Sequence, residues 1–560
     1  MPGRARLAAA LGLGLGLAGC SVRERVKSAV EAAPTRAGVS VCVLFADGLS
    51  KEAFDHLLTE EALPNIQREI VARALVVDNA VASVPSETYP NLGAMLTGLF
   101  PGHHGIPANV WLDRRLQVRE AHTNLFRVYS ASDFLSPAAR TLYERLPSDT
   151  VAVTTPIARG ATVHVKNTMS IIAAYARYDW PFLDRKTLDD AGDAYAGGAS
   201  AGRLPPLVWG HLLGPDEVAH AEGPASPAFH ATLASIDRAF GRLVRRLKKL
   251  RVDDRILWVL VGDHGNRSYH TAVDANELVN RVLRANPTET DCRPDCVLVP
   301  APKKEKTYDV GDAMIAVGAY RGVLIWLPTI RPPEEVPGAF RTRKQRRPKG
   351  PPVPRLRMPA VSTFAATLAR APEVRLVVTR GPSEGTALVY GPAGRSEIAR
   401  EDREGAPSVY TYRVLDGEDP FGYAHDAAVR GLLGAPHEAD DWLDATAEGP
   451  WPDLVVQLPE FFDSPRAPDV FISPAEGYGF MSGKAAGHGS LSRSETVVPL
   501  LFAGPGVPPG HLRAARTVDL APTLLSYLGV PFESDEMDGE DLEIAPAGPP
   551  PRPPLVPAAD

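Results

Sequence analysis

At 560 residues the chain is longer than one hydrophobic core usually supports, so it holds several packing units or one large domain with insertions. Hydrophobic residues make up 44% and charged residues 23%, which excludes a disordered chain and leaves ample material for a core. The 60 Lys and Arg are outnumbered by 67 Asp and Glu, giving a formal charge of −7. That balance excludes a general polyanion binder, and no binding of duplex nucleic acid is expected.

The first residues, MPGRARLAAALGLGLGLAGC, carry Arg4 and Arg6, an apolar run from Leu7 to Ala18, and then Gly19-Cys20. The run is too short to span about 30 Å of hydrocarbon and fits a secretory leader. Leu17-Ala18-Gly19-Cys20 also resembles the bacterial lipobox, in which the Cys is acylated; an ordinary cleaved leader with a chance Cys is the alternative. The expectation is a lipoprotein signal peptide over 1–19, lipidation at Cys20 and a tether over 20–38. The protein is then anchored by lipid in a bacterial cell envelope, on its periplasmic or surface face.

Val39–Ala46 is a continuous apolar run of strand length, as in a strand buried on both faces, and Cys42 within it reads as a small core residue. A helix is predicted near Ser50–Leu58 and a strand over Ala74–Ala82. Leu207–Leu213 and Ile256–Gly262 repeat the short apolar run, each ending at acidic or His residues. Between them, Phe229, Leu233, Ile236, Phe240, Leu243, Val244 and Leu247 recur at spacings that predict an amphipathic helix over Ser226–Leu250. Alternating strands and helices predict an α/β fold: a mostly parallel central sheet with helices on both faces. From 271 to 479 the texture changes and a mixed insertion is expected. It contains Cys292 and Cys296, close enough for a local disulfide and too few for a zinc site. It also holds a basic, Pro-rich run over Pro332–Pro354, read as a solvated loop. Val374–Thr379 and Ala387–Tyr390 look like strands. Leu500–Gly506 and Asp519–Leu528 return to core texture, so the core is divided into 39–270 and 480–540, with a Pro-rich tail over 541–560.

The chemistry gathers at predicted strand ends, where ligands of open α/β sheets collect. Asp47 ends the first strand, and Thr88-Tyr89-Pro90-Asn91 follows the second. Asp216 and His220 follow the third, Asp263-His264 the fourth, and His488-Gly489 stands before another strand-like run. Each signal alone is weak, since a strand-end Asp is often a helix cap. Together they offer three carboxylates, three imidazoles and a hydroxyl at one sheet edge. Two zinc ions would use that set well, taking Asp oxygen and His nitrogen at about 2.0–2.2 Å. Metal ions also supply the activation that a Thr hydroxyl lacks at neutral pH.

These motifs resemble, in order, the alkaline phosphatase superfamily. They are Asp47, Ser86-Glu-Thr88-Tyr-Pro-Asn91, Thr97-Gly-Leu-Phe-Pro101, His104-Gly-Ile106, Pro215-Asp216-x3-His220-x2-Gly-Pro224, Gly262-Asp-His-Gly265 and Gly487-His-Gly489. The nearest branch looks like the type I phosphodiesterase/nucleotide pyrophosphatase group. The resemblance implies two Zn²⁺, one held by Asp216, His220 and His488, the other by Asp47, Asp263 and His264, with Thr88 bridging. It implies that Thr88 is the nucleophile that forms a covalent intermediate on a small phosphorylated substrate, a nucleotide among the candidates. Asn109 stands where the family places an amide donor to a phosphoryl oxygen; a turn residue is its other reading. Tyr89 is expected either to stack on a nucleobase or to pack under the site. Arg159 is aligned loosely with a substrate-binding arginine of the monoesterases, whose partner lysine is missing here. That absence tilts toward diesters or pyrophosphates over phosphate monoesters or phosphonates. A non-catalytic binding protein is disfavoured, because every ligand position carries a competent residue. His103, His122, His211, His230 and His270 are read as surface or core histidines.

Overall fold

The computed structural model describes residues 21–30, 38–113, 118–121, 128–146, 149–285, 315–327, 361–546 and 555. Cys20 and its leader, Cys292, Cys296 and the Pro332–Pro354 run lie outside the described residues. Before the insertion come strands β1 (Ser40–Ala46), β2 (Leu75–Val81), β3 (Val151–Val153), β4 (Val163–Val165), β5 (Leu207–Leu212) and β6 (Ile256–Gly262). The interval 271–479 supplies β7 (Ile315–Gly318), β8 (Val323–Trp326), β9 (Val374–Arg380), β10 (Thr386–Gly391), β11 (Gly394–Arg403), β12 (Ala406–Gly417), β13 (His437–Glu438) and β14 (Val470–Pro474). The core resumes with β15 (Val497–Ala503) and β16 (Gly510–Arg516).

The first sheet has the order β16-β2-β15-β6-β1-β5-β3-β4. Every neighbouring pair is parallel except the two made by β15. β1 is central and buried along its length. Its alternation serves two cores: Val41, Val43 and Phe45 pack on one face, Cys42, Leu44 and Ala46 on the other. The helices that position the site are α1 (Lys51–Thr59), α2 (Thr88–Thr97), α3 (Trp180–Ser200), α4 (Gly214–Glu222), α5 (Pro227–Leu250), α6 (Leu454–Phe462) and α7 (Leu520–Leu528). α5 begins where Ser226 accepts a hydrogen bond from the Phe229 N–H, and it buries all seven apolar residues of its stripe. Each such Leu or Phe contributes about 1.5–3 kcal/mol by leaving water, so the stripe decides which face turns inward.

The second sheet, in the order β7-β8-β14-β9-β10-β11-β12-β13, is antiparallel throughout. It is backed by the Ala275–Ala285 and Val361–Leu368 helices through Leu278, Val282, Phe364 and Leu368. The β7–β8 turn reaches the first sheet, where the Arg321 N–H donates to the His488 carbonyl. Among the described residues no helix is long and apolar enough to cross a membrane.

Candidate active site

The carboxyl ends of β1, β2, β5 and β6 open on one edge of the first sheet. The loops leaving them carry Asp47, Thr88, Asp216 and Asp263-His264. β15 runs against its neighbours, so its amino-terminal end meets that same edge, and His488 arrives from the segment before the strand. The seven residues converge as two groups. Ligand atoms of Asp47, Asp263 and His264 lie within 4.8 Å of one another, as do those of Asp216, His220 and His488. His264 Nε2 is 3.5 Å from Asp47 Oδ1 and 3.3 Å from Asp263 Oδ2. His220 Nε2 is 3.2 Å from Asp216 Oδ2, and His488 Nε2 is 3.9 Å from Asp216 Oδ1. The rings of His264 and His488 stack at 3.7 Å, which sets the groups side by side.

Hydrogen bonds behind these residues fix their donor atoms. Nδ1 of His220 lies 3.0 Å from the Ala486 carbonyl, that of His488 2.8 Å from Ser86, and that of His264 3.3 Å from Gly265. A carbonyl only accepts, so each Nδ1 carries the proton and each Nε2 offers a lone pair inward. Asp263 Oδ1 accepts from the Gly48 and His264 N–H groups, whereas its Oδ2 is buried without a hydrogen-bond partner, as is His220 Nε2. Asn266 Nδ2 donates to Asp216 Oδ1 at 2.9 Å.

Charge tells the same story. Burial, then the Asp216 charge, pushes Asp47 well above the usual carboxylate range; burial, then Asp47, does the same to Asp263. Burial also opposes ionisation of Asp216, but His220, His488 and His264 outweigh it and hold that carboxyl low. Carboxylates and imidazole lone pairs aimed at one another in a buried place are a donor set for cations. The residues present therefore fit two divalent ions.

Thr88 opens α2 and is the one residue of that helix that is not buried. Its Oγ1 lies 3.3 Å from His264 Nε2 and 3.5 Å from Asp47 Oδ1, at the mouth of the first group. Asn109 Oδ1 accepts from the Tyr89 N–H at 2.8 Å, which leaves the Asn109 NH₂ as the donor end of that amide. α2 offers fewer amides to an anion than its position suggests, because Asn109 takes the Tyr89 N–H and Pro90 has none.

Both candidate substrate-binding residues are engaged by the protein itself, Tyr89 in the packed role that was one of its two readings. Tyr89 is 6% exposed and belongs to the core, so its ring packs beneath the site and presents no open face for a base. Arg159 is drawn into the loop before it, where it pairs with Glu144 and donates to the carbonyls of Leu135, Ser136 and Ala139. A guanidinium so engaged ties the 135–144 loop together and does not join the metal-ligand groups.

Sequence reasoning missed several residues around the site. His211, read as a structural histidine, places Nε2 2.7 Å from Asp47 Oδ2 while its ring packs on Phe45. Tyr320, from the β7–β8 turn, stacks on His220 at 3.7 Å. Arg321 and Glu495 form a buried ion pair at 2.6 Å. Glu495 also accepts from the Ser490 N–H and holds Ser86, whose carbonyl receives His488. No spacing pattern in the sequence marks these partners.

Residues 41–317 match the profile of the type I phosphodiesterase / nucleotide pyrophosphatase family. Among curated proteins, the chain is 23% identical over 242 residues to an ectonucleotide pyrophosphatase/phosphodiesterase of Caenorhabditis elegans, covering 42% of this chain and 30% of that protein. It is 26% identical over 192 residues to family member 3 of Mus musculus (33% and 20% covered) and 24% over 184 residues to family member 5 of Homo sapiens (32% and 36%). The chain thus spans between a fifth and somewhat over a third of these relatives' lengths. The fold is similar to murine ectonucleotide pyrophosphatase/phosphodiesterase 5, with a TM-score of 0.52 at 15% identity over 90% of this chain and 97% of that one. The inactive murine protein in complex with AMP gives the same TM-score at 14% identity. With ordered strand-end motifs and a family profile laid across both metal-ligand groups except His488, the 41–317 part of the chain belongs to the type I phosphodiesterase/nucleotide pyrophosphatase family, and the α/β fold of the whole is similar to that of its murine member.

Proposed function

We propose that the protein hydrolyses phosphodiester or pyrophosphate bonds of small substrates, nucleotides among them, with Thr88 as nucleophile. The observation that carries this reading is the placing of the half-buried Thr88 hydroxyl against the Asp47, Asp263 and His264 group, beside a second group of matching chemistry. Asp216, His220 and His488 would hold one Zn²⁺, and Asp47, Asp263 and His264 the other. Bound there, the two ions supply Lewis acidity for the attacking and leaving oxygens.

Thr88 Oγ1 gives up its proton to solvent and forms a bond to phosphorus as the bond from phosphorus to the leaving oxygen breaks; that oxygen takes up a proton from solvent and departs as the first product. Water then hydrolyses the phosphothreonine ester, which restores the hydroxyl and releases the second product. Asn109, held by its carbonyl on the Tyr89 N–H, donates its NH₂ to a non-bridging oxygen as charge builds there. The relatives are named for pyrophosphatase and phosphodiesterase activity, and AMP in the murine structure supports a nucleotide substrate. The withdrawal of Arg159 into its loop removes one cation that a dianionic monoester would seek. Turnover of bis-p-nitrophenyl phosphate should therefore exceed that of p-nitrophenyl phosphate, and exhaustive chelation should abolish both. A preference for the monoester would replace this reading with that of a phosphomonoesterase, and full activity after chelation would end the metal mechanism.

A further inference from the structure

Away from the strand-end site, α1 and α5 bring two imidazoles and a carboxylate together on the surface. His56 and Glu60 stand four residues apart at the end of α1, on one helix face. His230 lies in the first turn of α5. His56 Nε2 is 3.3 Å from Glu60 Oε1, and His230 Nδ1 is 3.5 Å from Glu60 Oε2. The two rings meet edge-on with centroids 5.6 Å apart, and one donor atom from each residue lies within 4.8 Å of the others.

These separations have a chemical meaning. Ligands held about 2.0–2.1 Å from a tetrahedral ion stand about 3.3–3.4 Å from one another. Each imidazole is already close to that edge from one oxygen of Glu60, His56 from Oε1 and His230 from Oε2, so the carboxylate spans the two rings. The donors are also held from behind. Leu57 and Phe229, the chain neighbours of His56 and His230, are fully buried, so the helix surfaces that present the rings are fixed by the core. Among the described residues, Glu60 makes no ion pair with Lys or Arg; its charged-group partners are these two histidines.

We propose that His56, Glu60 and His230 form a further divalent-cation site, distinct from the strand-end groups, that binds Zn²⁺ with at least one coordination position open to water. Two imidazoles and one carboxylate suit Zn²⁺, Ni²⁺ or Cu²⁺ and disfavour Mg²⁺ and Ca²⁺, which want more oxygen ligands. The side chains are 57%, 47% and 28% exposed for His56, Glu60 and His230, so an ion there exchanges with the medium more freely than one at the buried groups.

The test compares metal content in the full-length protein. Wild type, His230→Ala and Glu60→Gln are equilibrated with Zn²⁺ over a weak competing chelator, and bound zinc per chain is measured. Wild type should carry one Zn²⁺ more than either variant, with diester turnover unchanged among the three. Added Zn²⁺ should also raise the Tm of wild type beyond that of the variants, while Mg²⁺ should not. Equal zinc content across the three proteins would overturn the proposal and leave a hydrogen-bonded His–Glu–His cluster. The readout is a difference between proteins with the same strand-end groups, so it stands whatever number of ions those groups hold. Unchanged turnover and circular dichroism would show that the variants fold.

Discussion

Thr88 is where a single atom should decide activity. Changing Thr88 to Ala removes the attacking oxygen but leaves every Asp and His of both groups. Turnover should fall by roughly 10³ or more while bound metal persists, because the residues that hold it are untouched. Thr88→Ser should keep part of the activity, since the hydroxyl survives in a less restricted rotamer. A Thr88→Ala enzyme within a few-fold of wild type would sink the nucleophile assignment. His211 gives a second residue-scale expectation. Its hydrogen bond orients Asp47, so His211→Ala should weaken metal binding at the Asp47 group by about 10- to 100-fold in a chelator competition. Binding at the Asp216 group should change little; equal loss at both would mean general collapse rather than orientation. Asp47, Thr88, Asp216 and Asp263 were legible in the sequence because each follows a recognisable apolar run. His211 was not, because it lies inside the run of β5. It meets Asp47 only through the register that pairs it with Phe45 on β1. Burial of Tyr89 and the capture of Arg159 by the 135–144 loop likewise depend on packing that no local residue pattern announces.

At the scale of elements, the sheet shows why strand ends were readable and their cross-connections were not. β1, β2, β5, β6, α1 and α5 fall close to their expected spans, because an apolar run or a 3.6-residue stripe marks each one. α3 was missed: Arg185, Lys186, Asp189 and Asp193 do line an outer face, but Asp184, Thr187 and Asp190 are polar residues on its buried side, so no continuous apolar stripe marks its period. The β7–β8 turn was hidden as well, although it places Tyr320 on His220 and Arg321 on Glu495. Arg321 and Glu495 side chains are 3% and 0% exposed, so this pair joins the insertion to the His488 segment in a place water does not reach. Removing Arg321 leaves the Glu495 charge buried without a counter-charge, with only the Ser86, Ser490 and Ser492 hydrogen bonds to offset it. Arg321→Met should cost about 3–5 kcal/mol in urea unfolding and lower metal affinity at the His488 group. The double change Arg321→Met with Glu495→Gln should recover part of that loss. If Arg321→Met is as stable as wild type, the turn is not fastened in this way.

The whole molecule is held partly by a cluster that joins four remote stretches of chain. His103, just past α2, meets Asp463 at 3.1 Å and Glu460 at 3.2 Å at the end of α6, and Asp538 at 2.7 Å beyond α7. Arg400 on β11 shares Glu460 and Asp463 from the other side. The sequence offered His103 only as an ordinary histidine, since its partners lie hundreds of residues away. Burial alone would lower its pKa, but the hydrogen bonds and charges of Asp463, Asp538 and Glu460 outweigh burial and push it up to about 10. A histidine raised this far binds its proton more tightly in the folded protein than in the unfolded chain, where about 6.5 is usual. Its contribution to stability is therefore complete below pH ~6.5 and is lost progressively as pH rises through its folded value. Arg400 remains charged across that range, so the carboxylates keep one cation and the loss is partial. The wild-type protein should thus lose stability between pH ~7 and pH ~10, measured by urea unfolding at fixed ionic strength. His103→Gln should be less stable than wild type near neutral pH and should show a shallower decline toward pH ~10. Raising the salt should narrow the gap, because the His103 side chain is 29% exposed and its charge is partly screened. Parallel stability curves for wild type and His103→Gln from pH ~7 to pH ~10 would show that this cluster does not carry the alkaline loss.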